Sequence, residues 1–145
     1  MPSGWSVADV VDTVLTFDII EAGTIVWKSV NYPKTISYTI NNNETWTSIT
    51  STQNGVVINV NVGDKVQFKG NETGYGNPSN AAEYSTFDGS TAVFNVYGNI
   101  MSLLGDIVSD ILEADYTFRR LFYETNMRDA SGLKLPATTL SIRCY

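Results

Sequence analysis

Carboxylates are the side chains of this sequence best suited to acid–base chemistry, because it contains no histidine. The lack of histidine removes the commonest general base, the Ser–His and Cys–His nucleophile pairs and most catalytic zinc sites. Cys144, the only cysteine, has no base partner nearby and is interpreted as a small buried hydrophobe. Glycoside hydrolysis needs only two acids, and Glu72, Glu83 and Asp88 surround one loop. Their spacing fixes no separation between two carboxyl groups, so we predict that the protein is not an enzyme.

The Gly- and Asn-rich loop at residues 70–83 offers two candidate binding sites. Calcium binds to oxygen atoms of carboxylate and amide side chains. The candidate calcium ligands in this loop are Asn71, Glu72, Asn77, Asn80 and Glu83. They lack the spacing of an EF-hand, and the ordinary polarity of turns explains them, so we predict no metal and no other cofactor. Tyr75 and Tyr84 are the candidates for stacking against sugar rings as exposed aromatics. Packing at the edge of a sheet is the alternative explanation for both.

The charge balance argues against nucleic acid as a partner. The chain has 15 acidic and 9 basic residues, a net charge of −6 and a pI of about 4.4. A nucleic-acid surface needs a basic stripe, and the densest basic spot, Arg119–Arg120, is diluted by Asp115 and Glu124. No stretch approaches the ~18 apolar residues of a membrane span. We therefore predict neither nucleic-acid binding nor membrane insertion.

The elements that would position these residues are strands. A chain of 145 residues suffices for one domain, and its many Thr, Ser, Asn and Val residues favour strands and turns. Alternating segments predict strands at residues 14–19, 24–27, 35–40, 45–49, 56–62, 65–69, 84–87 and 92–97. The predicted hairpins join the first to the second, the third to the fourth and the seventh to the eighth. The expected fold class is mainly β: an antiparallel β-sandwich, Ig-like or barrel-like, over residues 14–98.

The segments on either side of this domain have a different character. Residues 1–13 are an apolar-leaning arm without signal-peptide features, and they either pack on their own domain or insert into a neighbouring subunit. The candidate anchor residues in this arm are Trp5, Val7, Val10 and Val11. Residues 99–145 are predicted to be a separate unit, with a helical turn at 100–104 and further helical spacing at 106–112. A short helix follows at 116–124, where Phe118, Leu121 and Phe122 share a face, and then an extended segment at 133–136.

The sequence near the C-terminus resembles a known repeat. Residues 135–140 (LPATTL) followed by Cys144–Tyr145 are similar to the repeat of BspA-type leucine-rich-repeat proteins. Segments at 15–17, 21–24, 36–46, 62–66 and 94–104 resemble, in the same order, a β-domain that often precedes such repeats. Each repeat of this kind buries its apolar residues only against the next one. The resemblance therefore implies that residues 99–145 contain the first leucine-rich-repeat unit and that the natural protein continues beyond Tyr145.

The resemblance implies adhesion or host contact and supplies no catalytic residues. Such proteins occur on Bacteroidota cell surfaces and in virions of their phages. A chain without an export signal fits a phage protein assembled in the host cytoplasm. We therefore expect a virion-associated fibre or capsid decoration protein, anchored by its N-terminal region and projecting its repeats towards the host. Expected partners are other virion or surface proteins, further copies in a homo-oligomer (a trimer, as in many fibres), and a glycan or host-surface receptor. The alternative is a bacterial cell-surface adhesin or glycan-binding module of the same family.

Overall fold

The computed structural model describes residues 13–41, 45–105 and 116–135, and this part of the chain is mainly β, as predicted. A 3₁₀ helix at Ile100–Leu104 realises the predicted helical turn. The described residues include no helix with the length and hydropathy needed to span a membrane. The strands are β1 Leu15–Glu21, β2 Gly23–Val30, β3 Thr35–Ile40, β4 Thr47–Thr50, β5 Val56–Val60, β6 Lys65–Gly70, β7 Tyr84–Thr86, β8 Val93–Asn99 and β9 Asn126–Lys134.

The strands form two sheets. The larger has six strands in the order β4-β3-β6-β1-β8-β9, and the smaller has three in the order β5-β2-β7. All strand pairs are antiparallel except β8 with β9, which is parallel. Two sheets around one apolar interior are consistent with a β-sandwich. No leucine-rich-repeat coil is seen in the described part of the chain, and residues 136–145, with most of the LPATTL and CY motifs, lie outside it.

Aromatic side chains from both sheets fill the interior. Phe17 on β1 stacks on Phe94 of β8 with ring centroids 4.5 Å apart, and its centroid is 4.7 Å from that of Phe68 on β6. Phe87, just after β7, joins the sheets because its centroid lies 4.9 Å from Phe17 and 4.8 Å from Trp27 of β2. All five rings are fully buried. We call them the aromatic core.

The predicted pairing of strands is right for one hairpin and wrong for two. The hairpin of β3 and β4 is confirmed, and Asn41 at its turn has the expected left-handed backbone, with a φ of 56°. The predicted hairpin of β1 and β2 is wrong, since β1 pairs with β6 and β8 while β2 pairs with β5 and β7. The predicted pair of β7 and β8 is wrong for the same reason. A period of two identifies a strand in either sheet alike and does not indicate its partner.

The connection between β1 and β2 shows why no hairpin forms there. Only Ala22 separates the strands, so the chain passes from one sheet directly into the other. Gly23 makes this passage possible, because a Cβ at this position would lie 2.7 Å from the backbone nitrogen of Ala92. The sequence Glu21-Ala22-Gly23 was predicted to be a tight turn, whereas the structure makes it a corner between sheets.

The predicted helix at residues 116–124 is wrong, although its apolar face is real. Phe118 and Leu121 are buried in the core, and Phe122 packs against it. The backbone forms consecutive turns, with left-handed φ values of 58° at Tyr116 and 55° at Arg120. A right-handed helix cannot continue through such residues. Carbonyl groups that a helix would use internally accept hydrogen bonds from β7 and from the loop before it.

The predicted boundary between residues 98 and 99 does not separate two cores in the described residues. The strand β9, of which only residues 133 and 134 were expected to be extended, joins the six-stranded sheet beside β8. Phe118 and Leu121 belong to the same apolar cluster as Phe17. The described residues of 99–135 therefore complete the domain that begins at β1.

The two ends of the described domain lie at one end of the six-stranded sheet. Val14 forms a bridge with Asn99, and Lys134 is the register partner of the same residue. The backbone N–H of Asn99 also donates to the Thr13 carbonyl oxygen at 2.8 Å. Neighbouring strands are about 4.8 Å apart, so the chain enters and leaves the domain within roughly 10 Å.

Candidate binding surface

The structure brings only some of the sequence-predicted site residues together, such as Asn77 and Glu83, whose side chains are hydrogen-bonded to each other. Trp5, Val7, Val10 and Val11, the candidate anchor residues, lie outside the described residues. Tyr75 is fully buried, so the hypothesis that its exposed ring stacks on sugars is wrong. Its ring lies against Trp27 and Phe118, and its hydroxyl donates to the backbone carbonyl of Leu103. Burial, with a smaller contribution from the Glu72 charge, raises the pKa of the Tyr75 hydroxyl far above its ordinary value.

Tyr84, the second candidate for sugar stacking, is nearly buried. It is only 8% exposed, and a guanidinium group lies near its ring. A free ring face at this position was therefore a wrong expectation. The alternative explanation, packing at the edge of a sheet, fits Tyr84, because it lies on β7 at the edge of the small sheet.

The loop carboxylates lie apart and already have partners. Glu72 accepts a hydrogen bond from the Thr35 backbone N–H at 3.0 Å and lies 3.7 Å from the Lys34 ammonium. Glu83 accepts from the Asn77 amide at 2.8 Å. Asp88 lies 4.0 Å from the Lys28 ammonium. Within the described residues, no three His, Cys, Asp or Glu side chains are close enough together to hold a metal ion.

The asparagines of the loop support its own backbone. The side-chain oxygen of Asn77 accepts a hydrogen bond from the Ser79 N–H at 2.9 Å, and the side-chain oxygen of Asn80 accepts one from the Ala82 N–H at 3.1 Å. These are Asx-turns, in which a side chain substitutes for a backbone acceptor. The polar composition of residues 70–83 is in this way used to shape the loop.

A different group lies beside this loop and consists of the exposed Arg120 and Tyr123 and the nearly buried Tyr84. We call it the arginine–tyrosine cluster. The guanidinium carbon of Arg120 lies 5.7 Å from the ring centroid of Tyr84 and 5.1 Å from that of Tyr123. Its Nη1 makes a long hydrogen bond of 3.5 Å to the Tyr84 hydroxyl. Cations within about 6 Å of a ring centroid are attracted by the ring quadrupole. The two rings therefore hold the Arg120 charge at the surface, where Tyr123 is 42% exposed.

The backbone under this cluster is held in a conformation that side-chain-bearing residues seldom adopt. Tyr116, Arg120 and Glu124 all have left-handed φ values, between 50° and 58°. Each such residue costs on the order of 1–2 kcal/mol when it is not glycine. The buried side chains of Phe118 and Leu121 offset this cost, since burial of one large apolar side chain contributes about 1.5–3 kcal/mol.

Hydrogen bonds tie the segment to the small sheet. The Thr86 hydroxyl donates to the Arg120 carbonyl at 2.6 Å, and the Phe87 N–H donates to the Leu121 carbonyl at 2.8 Å. Arg119, which lies next to the cluster, donates from its Nε to the Ala81 carbonyl at 2.9 Å. The left-handed Arg120 is thus held through its own carbonyl and through the residues on either side of it, Arg119 and Leu121.

The Arg120 charge has no carboxylate partner among the described residues. The ion pairs found there are Lys28–Asp88, Lys34–Glu72, Lys65–Asp18 and Arg128–Glu21. The hydrogen bond to Tyr84 raises the pKa of Arg120 further above its ordinary value. Arg120 is itself exposed, so that its guanidinium is accessible to solvent in the described part of the chain.

A hollow of about 300 Å³ lies on the outer face of the six-stranded sheet. It is lined by Asp18, Lys65, Asn95, Tyr97 and Asp129. The side-chain oxygen of Asn95 is buried there without a hydrogen-bond partner. The Lys65 ammonium already binds Asp18 at 3.1 Å. Burial, then the Asp18 charge, raises the pKa of the Tyr97 hydroxyl. The mixed charges of this hollow define no single ligand class.

The arginine–tyrosine cluster was missed because Tyr84 lies 36 positions before Arg120 in the sequence and because the backbone at Arg120 is irregular. Arg119–Arg120 was recognised only as a diluted basic spot. One signal was present: Tyr116, Arg120 and Tyr123 interleave basic and aromatic residues over a short stretch. Interpretation of this stretch as a helix put Tyr123 and Arg120 on a helix surface, with no reason to meet Tyr84.

Comparisons of the chain with protein-family models, with curated proteins and with solved structures found no match. The resemblance to BspA-type proteins consequently stays a prediction that rests on the motifs quoted above.

Proposed function

We propose that the protein is a non-enzymatic structural and adhesion protein: a virion-associated fibre or decoration protein of a phage, in which a β domain anchors the chain and carries leucine-rich repeats for host contact. Other virion proteins and further copies of the chain, as a trimer, are the proposed partners. The finer fold proposed is an Ig-like or barrel-like sandwich that leads into the first repeat unit.

The single observation that supports this proposal most is the position of β9. This strand is the last of the six-stranded sheet, and its outer edge is unpaired among the described residues. It runs parallel to β8 and ends at Lys134, directly before Leu135 and the LPATTL motif. An edge strand offers a row of free N–H and C=O groups on which a following strand can be added. The motif thus begins where the sheet is able to extend.

The course of the chain ends refines the arrangement expected from the sequence. Val14 and Lys134 both lie beside Asn99. The proposed anchor before residue 13 and the proposed repeats after Lys134 therefore leave the domain side by side. An arrangement with anchor and repeats at opposite ends of the domain would need one of these segments to fold back over it.

Two truncations test the proposal. Deletion of residues 1–12 keeps Thr13 and its bond with Asn99, while a chain ended at Lys134 keeps β9 and lacks the repeat motif. We expect the first truncation to abolish incorporation into purified particles. The second is expected to leave incorporation intact and to reduce attachment of particles to host cells. Thermal unfolding of both truncated proteins serves as the control for the fold.

Normal incorporation of the chain that lacks residues 1–12 would refute the anchor, and normal attachment by the chain ended at Lys134 would refute host contact through the repeats. The alternative, a bacterial cell-surface adhesin or glycan-binding module of the same family, predicts that the protein is found in the cell envelope and not in particles. Neighbouring genes separate the two: capsid and portal genes favour the virion, and polysaccharide-use genes favour the cell surface.

A further inference from the structure

We propose that the arginine–tyrosine cluster binds a carboxylated sugar, with the carboxylate on Arg120 and the sugar ring against Tyr123. This inference deepens the adhesive part of the proposed function and in that respect rests on it. It names a ligand class and a place on the domain, and it requires neither the N-terminal arm nor the repeats.

The charge of the cluster selects an anion. Among the described residues, Arg120 has no carboxylate within ion-pair distance, whereas Arg128 lies 3.4 Å from Glu21. A guanidinium group binds a carboxylate through two parallel hydrogen bonds. Tyr84 and Tyr123 restrict the Arg120 side chain through its guanidinium, so little conformational freedom remains to be lost on binding.

The exposed ring of Tyr123 selects a ligand with a flat apolar face next to its charge. The ring is 42% exposed, and the Arg120 guanidinium carbon lies 5.1 Å from its centroid. A pyranose ring presents C–H groups on one face and, in an acidic sugar, a carboxylate at its rim. Tyrosine is well suited to such a contact because it combines a rigid apolar surface with a polar end.

The backbone beneath the cluster argues against an extended acidic peptide as the ligand. N–H groups at alternate positions of the segment donate to carbonyls within it, from Arg119 to Tyr116, Leu121 to Phe118, Tyr123 to Arg120 and Thr125 to Phe122. A peptide that adds to a sheet edge needs such groups free. These four N–H groups are not available to an added strand, and the side chains of Arg120 and Tyr123 are the groups that the proposal assigns to the ligand.

The left-handed backbone conformation of Arg120 is further support for a binding site at this surface. Its φ of 55° is uncommon for a residue with a long side chain, and the Thr86 hydroxyl fixes its carbonyl at 2.6 Å. Strained backbone of this kind is concentrated at functional sites.

The test is an NMR titration of the full chain with two matched pairs of probes. Trigalacturonate is compared with its methyl ester, and sialyllactose with its methyl ester, so that each pair differs only in the charge of the carboxyl groups. We expect at least one acidic probe to bind with a Kd of about 1 mM or tighter and its neutral counterpart at least about tenfold more weakly, as loss of a charge-assisted hydrogen bond requires. Shifted signals should centre on Arg120 and Tyr123.

Variants assign the binding to the cluster. Arg120→Gln should weaken the acidic probe about tenfold or more, and Tyr123→Ala several-fold, while both retain the parent melting temperature. Arg128→Gln removes the same charge from an arginine that pairs with Glu21, and it should change the Kd less than about twofold because an exposed, distant charge is screened.

Three results with the sugar probes would overturn the inference: no binding of either acidic probe at about 10 mM, parent-like affinity of Arg120→Gln, or an equal loss in Arg128→Gln. Equal binding of hexaglutamate would also overturn it and would reassign the surface to an acidic protein. These titrations use the isolated protein, so their failure leaves the particle-incorporation test untouched. Normal sugar binding with failed incorporation would refute the virion role alone.

Discussion

Two regions of this molecule use aromatic side chains in opposite ways. In the aromatic core, rings such as Phe17 and Trp27 are fully buried and contact one another across the two sheets. In the arginine–tyrosine cluster, Tyr84 and Tyr123 contact a charge and keep it at the surface. Most rings of the core lie on regular strands, while Arg120 and Tyr123 of the cluster lie in turns that contain left-handed residues. The comparison teaches that aromatic side chains stabilise the interior in one region and hold a positive charge at the surface in the other.

The largest expected effect comes from a truncation in the aromatic core. Phe17→Ala should lower the free energy of unfolding by about 3–5 kcal/mol, because Phe17 contacts the rings of Phe68, Phe87 and Phe94 and leaves a cavity when removed. The matched truncation in the cluster, Tyr123→Ala, should change it by less than about 0.5 kcal/mol. Chemical denaturation of both variants measures the difference, and similar losses would erase the distinction between the regions.

A smaller effect is expected where a tyrosine belongs to the interior. Tyr75→Phe should lower the free energy of unfolding by about 1–3 kcal/mol, because the buried Leu103 carbonyl loses its donor. Burial raises the pKa of the Tyr75 hydroxyl, so the folded state favours the neutral phenol. The stability from this group is complete below the unfolded pKa of about 10 and falls as pH rises above it.

Unfolding of wild type and Tyr75→Phe at a series of pH values checks this sign. The phenylalanine variant has no phenol to ionise at position 75, so its deficit relative to wild type should shrink between about pH 9 and 11.5. A deficit that stays constant or grows over this range would show that the Tyr75 hydroxyl does not prefer its neutral form in the folded protein.

The smallest expected effect has the opposite sign. Glu124→Gly should raise the free energy of unfolding by up to about 1 kcal/mol, because its φ of 50° carries no penalty for glycine. Thr47→Gly, at an exposed position within β4, is the matched control and should lower it by about 0.5–1 kcal/mol. Thermal unfolding that shows a loss in both variants would mean that the turn segment is not strained.

The sequence was a good guide wherever a strand alternates. The strands β3, β5, β6 and β8 were predicted near their observed positions, because apolar and polar residues alternate in these segments of the sequence. Partners were harder to predict, because Leu15 on β1 and Ile25 on β2 are equally buried in different sheets. A local pattern contains no information about which of two sheets a strand joins.

The candidate surface was less predictable than the fold. Phe118 and Leu121 were correctly recognised as apolar contacts, but left-handed backbone at Tyr116 and Arg120 is favoured by no residue type there. Tertiary hydrogen bonds from Thr86 and Phe87 hold this backbone, and they depend on residues more than thirty positions away. Tyr75 was wrongly expected to be exposed because a polar loop around a tyrosine is compatible with either burial or exposure.

The direct passage from β1 into the other sheet has a consequence for synthesis of the chain. The strand β1 has no partner until β6 and β8 have been synthesised, because Leu15 pairs with Phe68 and Thr16 pairs with Tyr97. At translation rates of about 5–20 residues per second, β1 therefore spends several seconds outside the ribosome as an unpaired apolar strand. Contacts so distant along the chain also slow folding itself. During this interval β1 is an unpaired apolar strand of the kind that pairs with other chains.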